Sequence, residues 1–141
     1  MAQPDIRPSP WSQVHGVAVP LDELPRERVP ACPGVLVLYC EGRVAWFGKS
    51  ADLRSTFAHL LVTQGPAALS PARRRVASRL GIGAPAEILS GRYRPTPEDQ
   101  ARISRWLRAC TVAWVECESE AAAVMLEGRL LGSSDNPGVA G

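Results

Sequence analysis

Two apolar runs, Gly34-Val35-Leu36-Val37-Leu38-Tyr39 and Val44-Ala45-Trp46-Phe47-Gly48, flank Glu41-Gly42-Arg43. Strand-forming residues on both sides of a short glycine-bearing turn define a β-hairpin. Lys49-Ser50 follows at once. Ser50 reads as a helix cap, its hydroxyl accepting from the unpaired N–H groups of a first turn that begins Ala51-Asp52-Leu53. The chain is thereby committed to a hairpin that delivers directly into a helix.

The remaining elements follow from periodicity and punctuation. Leu53, Phe57, Leu60 and Leu61 recur at helical spacing and predict a helix over 51–62. Ser70-Pro71 starts a second helix that Gly81 ends, over 71–80. Residues 81–95 are loop, interrupted by glycine and proline. Thr96-Pro97-Glu98-Asp99 opens a third helix with acids where the helix dipole favours them; it runs to about 108 and packs Ile103, Trp106 and Leu107. Thr111-Val112-Ala113-Trp114-Val115-Glu116 alternates and is rich in strand formers, so it is a third strand. Ser119-Glu120 opens a last helix reaching about Leu131. The hairpin and the distant strand must pair to bury their apolar faces. The expected class is α+β, a small three-stranded antiparallel sheet flanked by helices.

A chain of 141 residues is one domain, able to bury a core without staples. Residues 1–30 hold six prolines and read as a Pro-rich arm, with a short edge segment from Val17 to Leu21. The domain proper spans 31–131, and 132–141 reads as a flexible tail. At 45% apolar and 21% charged, the composition excludes a disordered chain. The longest apolar stretch, from Ala121 to Leu126, is too short to cross a bilayer, and Met1-Ala2-Gln3-Pro4-Asp5 is no leader. A cytoplasmic protein with no membrane partner is expected. Cys32, Cys40, Cys110 and Cys117 lack the spacing of a zinc knuckle and read as reduced, half-buried thiols.

The hairpin carries a family resemblance. From Pro30 to Leu131 the chain resembles the GIY-YIG nuclease domain, with Gly34-Val35-Leu36 at the first motif and Trp46-Phe47-Gly48-Lys49-Ser50 at the second. The helical insert, with Arg73-Arg74-Arg75-Val76-Ala77-Ser78-Arg79-Leu80-Gly81 and Arg102-Ile103-Ser104-Arg105-Trp106-Leu107, looks like that of many short actinobacterial members. The resemblance implies a DNA endonuclease acting with Mg2+ or Mn2+. It places the family's two tyrosines at Leu36 and Trp46, its catalytic arginine at Thr56 and its metal-binding glutamate at Glu127; Lys49 and Glu127 match the pattern. Leucine has no proton to exchange, indole only donates, and threonine carries no charge for a developing oxyanion. Tyr39, Arg54 and His59 are the candidate substitutes, although strand alternation puts Tyr39 and Leu36 on opposite sheet faces. The resemblance further implies that Leu36, Trp46, Lys49, Thr56 and Glu127 share one pocket.

Glu127 is conspicuous without any family. Ala123, Val124, Leu130 and Leu131 lie one turn before and after it, so a carboxylate interrupts an apolar stripe. It is either at the stripe's edge in water or a ligand or polar anchor in a cleft beside the sheet. If it binds a cation, one carboxylate with waters and phosphate oxygens is a normal share for magnesium.

Net charge is only +2, but from Arg73 to Arg108 nine arginines face three acids. Such an excess attracts phosphate if it lies on one face, and is otherwise a solvated surface in an arginine-preferring genome; the chain's single lysine, Lys49, shows that bias. Arg73, Arg74, Arg75, Arg79, Arg102 and Arg105 are the candidate nucleic-acid contacts. Three functions therefore stand: an endonuclease with substituted groups, a nuclease-derived module that binds nucleic acid or a protein without cutting, and a repurposed cleft for a small molecule with an apolar body.

Overall fold

The computed structural model describes residues 11, 14, 18–65, 68, 70–83, 86, 87, 90, 92 and 94–132. Residues 1–10, Val17 and 133–141, on which parts of the expected arm, edge segment and tail fall, lie outside the described residues. The fold is α+β: a four-stranded antiparallel sheet with helices on both faces. The strands are β1 (Val19–Pro20), β2 (Gly34–Cys40), β3 (Arg43–Ser50) and β4 (Thr111–Glu116). They lie in the order β1-β4-β2-β3, so β1 and β3 are the edges. The four longer helices are α1 (Leu53–His59), α2 (Pro71–Arg79), α3 (Pro97–Arg108) and α4 (Glu120–Gly132).

The expected strand count is one short. Val19 pairs with Val112 and Pro20 with Thr111, so the short edge segment joins the sheet as a fourth strand. The residues that follow dock onto the domain, burying Leu21, Leu24 and Val29 in its core. Trp11 and Val14 are also buried, against the other face. A proline-rich stretch cannot build a ladder of its own, but it can cover apolar surface with single side chains.

β2 and β3 are joined by the two-residue turn Glu41-Gly42, both at positive φ (53° and 77°), the backbone that matches the twist of a hairpin. A register shift between Leu38 and Tyr39 leaves Ala45 of β3 without a partner on β2. Alternation then sorts the side chains. Leu36, Leu38 and Val112 face α1, α2 and α3, forming one cluster with Leu53, Phe57, Val76, Ile103 and Leu107. Val35, Val37, Tyr39, Val44 and Ala113 face α4, packing with Ala123, Leu126 and Leu130.

Helix starts follow their punctuation, but Ser70 before α2 makes no side-chain cap bond and α1 is capped by a residue other than the one expected. Thr96 and Asp99 form a reciprocal capping box, and Ser119 Oγ accepts from Ala122 N. Ser50, expected to cap α1, instead stays in β3; the cap is Asp52, whose carboxylate accepts from Ser55 N at 3.2 Å. Ser50 Oγ accepts from Asp52 N at 3.0 Å and so holds the turn that aims the cap. No described helix is long and apolar enough to cross a membrane.

Candidate functional site

As an edge strand, β3 offers its outer backbone to whatever lies beside it. Along that edge runs a groove of about 520 Å³. Its floor is Ala45, Trp46 and Phe47; α2 supplies Pro71, Arg74, Arg75 and Ser78, and α4 supplies Glu127 and Leu131. The spacing on each helix explains the set. Ser78 lies four residues after Arg74 and three after Arg75, and Leu131 four after Glu127, so each group projects from one helix face. Phe47 is held edge-on by Trp11, ring centres 5.1 Å apart at 88°. Trp46 lies across Gly48: a side chain built on Gly48 would come within 2.6 Å of the indole, so only glycine leaves room for that ring.

Glu127 anchors the groove. Its Oε2 accepts a 2.7 Å hydrogen bond from the backbone N–H of Lys49 on the free edge of β3. The carboxylate thus ties α4 to β3 and occupies a donor that would otherwise template pairing with another chain. Of the two sequence readings of Glu127, the polar anchor beside the sheet describes this contact.

Around the inner side of the same strand a smaller cavity of about 150 Å³ is lined by Trp46, Lys49, Thr56, His59, Leu60 and the start of α2 at Ser70, Pro71 and Ala72. Thr56 Oγ1 shares a 2.5 Å hydrogen bond with Ser50 Oγ, so its hydroxyl is committed to holding α1 against β3.

The expected single pocket is therefore divided. Trp46 lines both cavities, Lys49, Thr56 and His59 line the smaller one, Glu127 the larger, and Leu36 neither. Leu36 is wholly buried between Gly48 and Trp114 of the neighbouring strands, in the α1 to α3 core. Two of the substitutes for missing groups are also placed elsewhere. Tyr39 is 7% exposed in the α4 cluster, on the face opposite Leu36, and burial pushes its phenol up from the ordinary range. Arg54 donates through Nε to Val29 O (2.8 Å) and through a terminal nitrogen to Glu27 O (3.2 Å), fastening the lead-in segment to α1. His59 alone of the three reaches the site.

The arginines also divide. Arg73, expected to face solvent or a ligand, is completely buried. Its guanidinium donates to Leu60 O (2.7 Å), Ala68 O (3.2 Å), Ser104 Oγ (3.1 Å), Gln100 O (3.2 Å) and Gln100 Oε1 (2.5 Å). It ties α2 to α3 and leaves no donor pattern for phosphate. Burial lowers its pKa to about 10, so it stays charged at neutral pH. Arg79 is exposed and stacks over Trp106, 5.3 Å from the ring centre. Arg102 and Arg105 are exposed on α3 and line neither cavity. Only Arg74 and Arg75 reach the groove.

Sequence reasoning missed Phe47, Ser78 and Leu131 as groove residues. The helical spacing from Arg74 and from Glu127 was the available signal, but the outer position of β3 was not readable from local pattern. No family model matches the chain, nor does any curated protein or solved structure.

The groove offers a magnesium or manganese ion one carboxylate, that of Glu127. Among the described residues no three His, Cys, Asp or Glu side chains converge. Among the described residues Glu127 is the only carboxylate lining the groove, one of its oxygens accepts from the Lys49 N–H, and two arginines line the groove from α2. Guanidinium charge beside a single engaged carboxylate favours an anion over a divalent cation.

Proposed function

We propose that the chain is a nucleic-acid-binding domain of the GIY-YIG nuclease type that has given up cleavage. The carrying observation is the groove that brings Arg74 and Arg75 beside Trp46. Guanidinium groups hold phosphate oxygens as charged, bidentate donors, and an indole is a platform on which any base can stack. A groove with both serves a sugar-phosphate chain independently of sequence. The loss of chemistry is supported by the same geometry. Leu36 is sealed in the core, Thr56 is bonded to Ser50, and Arg54 and Tyr39 are engaged away from the groove. Of the family positions Leu36 and Thr56 and the substitutes Tyr39, Arg54 and His59, none lines the groove with Glu127, and a single general base or charge-stabilising group is worth ~10² or more in rate.

The test is fluorescence anisotropy with labelled single- and double-stranded DNA over a salt series, with plasmid cleavage in Mg2+ and Mn2+ alongside. Binding that weakens steeply with salt is expected, with Arg75→Ala lowering the log–log slope by about one. Quenching of Trp46 fluorescence should accompany binding, and no cleavage should be seen. Metal-dependent cleavage abolished by Glu127→Ala would overturn the loss of chemistry. Absent or salt-insensitive binding would overturn the nucleic-acid reading in favour of a small molecule seated on Trp46, Phe47 and Leu131.

A further inference from the structure

The four cysteines fall at the two ends of a single ladder, where β2 runs antiparallel to β4. Its register pairs Tyr39 with Thr111, so the next pair outward sets Cys40 opposite Cys110. Cys117 N donates to Pro33 O at 2.8 Å, which makes 33 and 117 a hydrogen-bonded pair; alternation then makes 40 and 110 a non-bonded one. Independently, Cys110 O accepts from Leu21 N at 3.0 Å, turning the backbone of Cys110 away from β2. Non-bonded antiparallel pairs hold their Cα atoms about 4.5 Å apart, within the span a disulfide bridges. Both side chains belong to the face of Leu38 and Val112; the Cys110 thiol donates to Trp106 O at 3.4 Å and interacts with the Cys40 thiol beside it.

The other two cysteines form a built-in control. Cys32 packs with the α1 to α3 cluster and Cys117 with the α4 cluster, so the sheet separates them. Cys32 Sγ is moreover engaged with Glu116 Oε1 at 3.5 Å.

We infer that Cys40 and Cys110 are an oxidation site that closes to a cross-strand disulfide under a disulfide oxidant. Cys40 is the entry point: it is partly exposed and lines a cavity with Glu41, Arg43 and Arg79. Its thiolate attacks one sulfur of oxidised glutathione, releasing one glutathione thiol and leaving a mixed disulfide. Cys110 then loses its proton and attacks the Cys40 sulfur, releasing the second glutathione. Two cysteine thiols are oxidised and one glutathione disulfide is reduced to two thiols. Because Cys110 is only 1% exposed and its thiol is pushed up to about 12, the second step is slow, and the closed bond is shielded from external thiols. The bridge encloses all of α1, α2 and α3.

The experiment is incubation of the full chain with oxidised glutathione, followed by thiol counting, intact mass and non-reducing peptide mapping. Loss of two of the four thiols, a mass lower by two hydrogens and a peptide linking Cys40 to Cys110 are expected. Thermal melting should shift upward on oxidation and return with dithiothreitol. Cys110→Ser should stop at a stable glutathione adduct on Cys40, and Cys32→Ser should oxidise like the parent. A peptide containing Cys32 or Cys117 in the link, or four thiols persisting in the folded parent, would overturn the inference.

Discussion

Arg73 is bonded only to neutral partners among the described residues: three carbonyls, a hydroxyl and an amide. A charge desolvated in this way is tolerated because every direction in which the guanidinium donates meets an oxygen. Removing it strands those acceptors in the core. Arg73→Ala should cost about 3 kcal/mol in urea unfolding, whereas Arg102→Ala, on the exposed face of α3, should stay within about 0.5 kcal/mol. A second prediction concerns alkaline pH. The folded Cys110 thiol is raised from 9.0 to about 12 by burial first and by Cys40 second, and Tyr39 is raised from 10.0 by burial. Well below pH 9 both groups are protonated in the folded and unfolded chain alike, and neither makes stability depend on pH. Above it the unfolded chain ionises first, so their contribution is lost as pH rises towards the folded values. Stability measured by urea at pH 8 and pH 10 should fall, and fall less in Cys110→Ala.

At the scale of elements, one carboxylate adds a hydrogen bond to the apolar packing of α4 on β3. Glu127→Ala leaves the Lys49 N–H without its acceptor and should lose about 1 kcal/mol. Glu127→Gln keeps an acceptor oxygen and should stay near the parent in urea unfolding, a result that separates anchoring from any need for negative charge. Thr96→Ala should likewise cost about 1 kcal/mol by removing the capping box of α3, read as a lower thermal midpoint. The start of α3 was legible in Thr96-Pro97-Glu98-Asp99, as were the hairpin and the four longer helices, because each rests on residues a few positions apart. Arg73 was read as surface because its partners at Leu60, Gln100 and Ser104 are remote in sequence, and a triple-arginine run looks solvated from composition. Leu36 was assigned to a pocket on motif position alone, yet the depth of β2 between β3 and β4 decides that it is sealed. The groove could be read only in halves, since its walls belong to three elements whose adjacency is tertiary.

For the molecule as a whole, the sheet has two edges and each is blunted differently. On one side β1 covers β4 with only two residues, the second of which, Pro20, has no N–H to offer a further strand. Deleting residues 1–20 should expose β4, and the shortened chain should self-associate in a concentration series by size-exclusion chromatography where the full chain does not. On the other side Glu127 and the groove occupy β3.

Arg54 fastens the lead-in to α1 through both its side chain and its backbone. Besides its side-chain bonds to Glu27 O and Val29 O, its N–H donates to Pro30 O at 3.1 Å, and Leu53 N donates to Cys32 O at 2.9 Å. The first N–H groups of α1 are thus spent on the lead-in, and the lead-in's carbonyls are spent on α1. Neither can let go without orphaning the other, so the two should open as a single unit in native-state hydrogen exchange. Amides of 53–57 and of Arg28 and Val29 should share one opening free energy, and Arg54→Ala should split it in two.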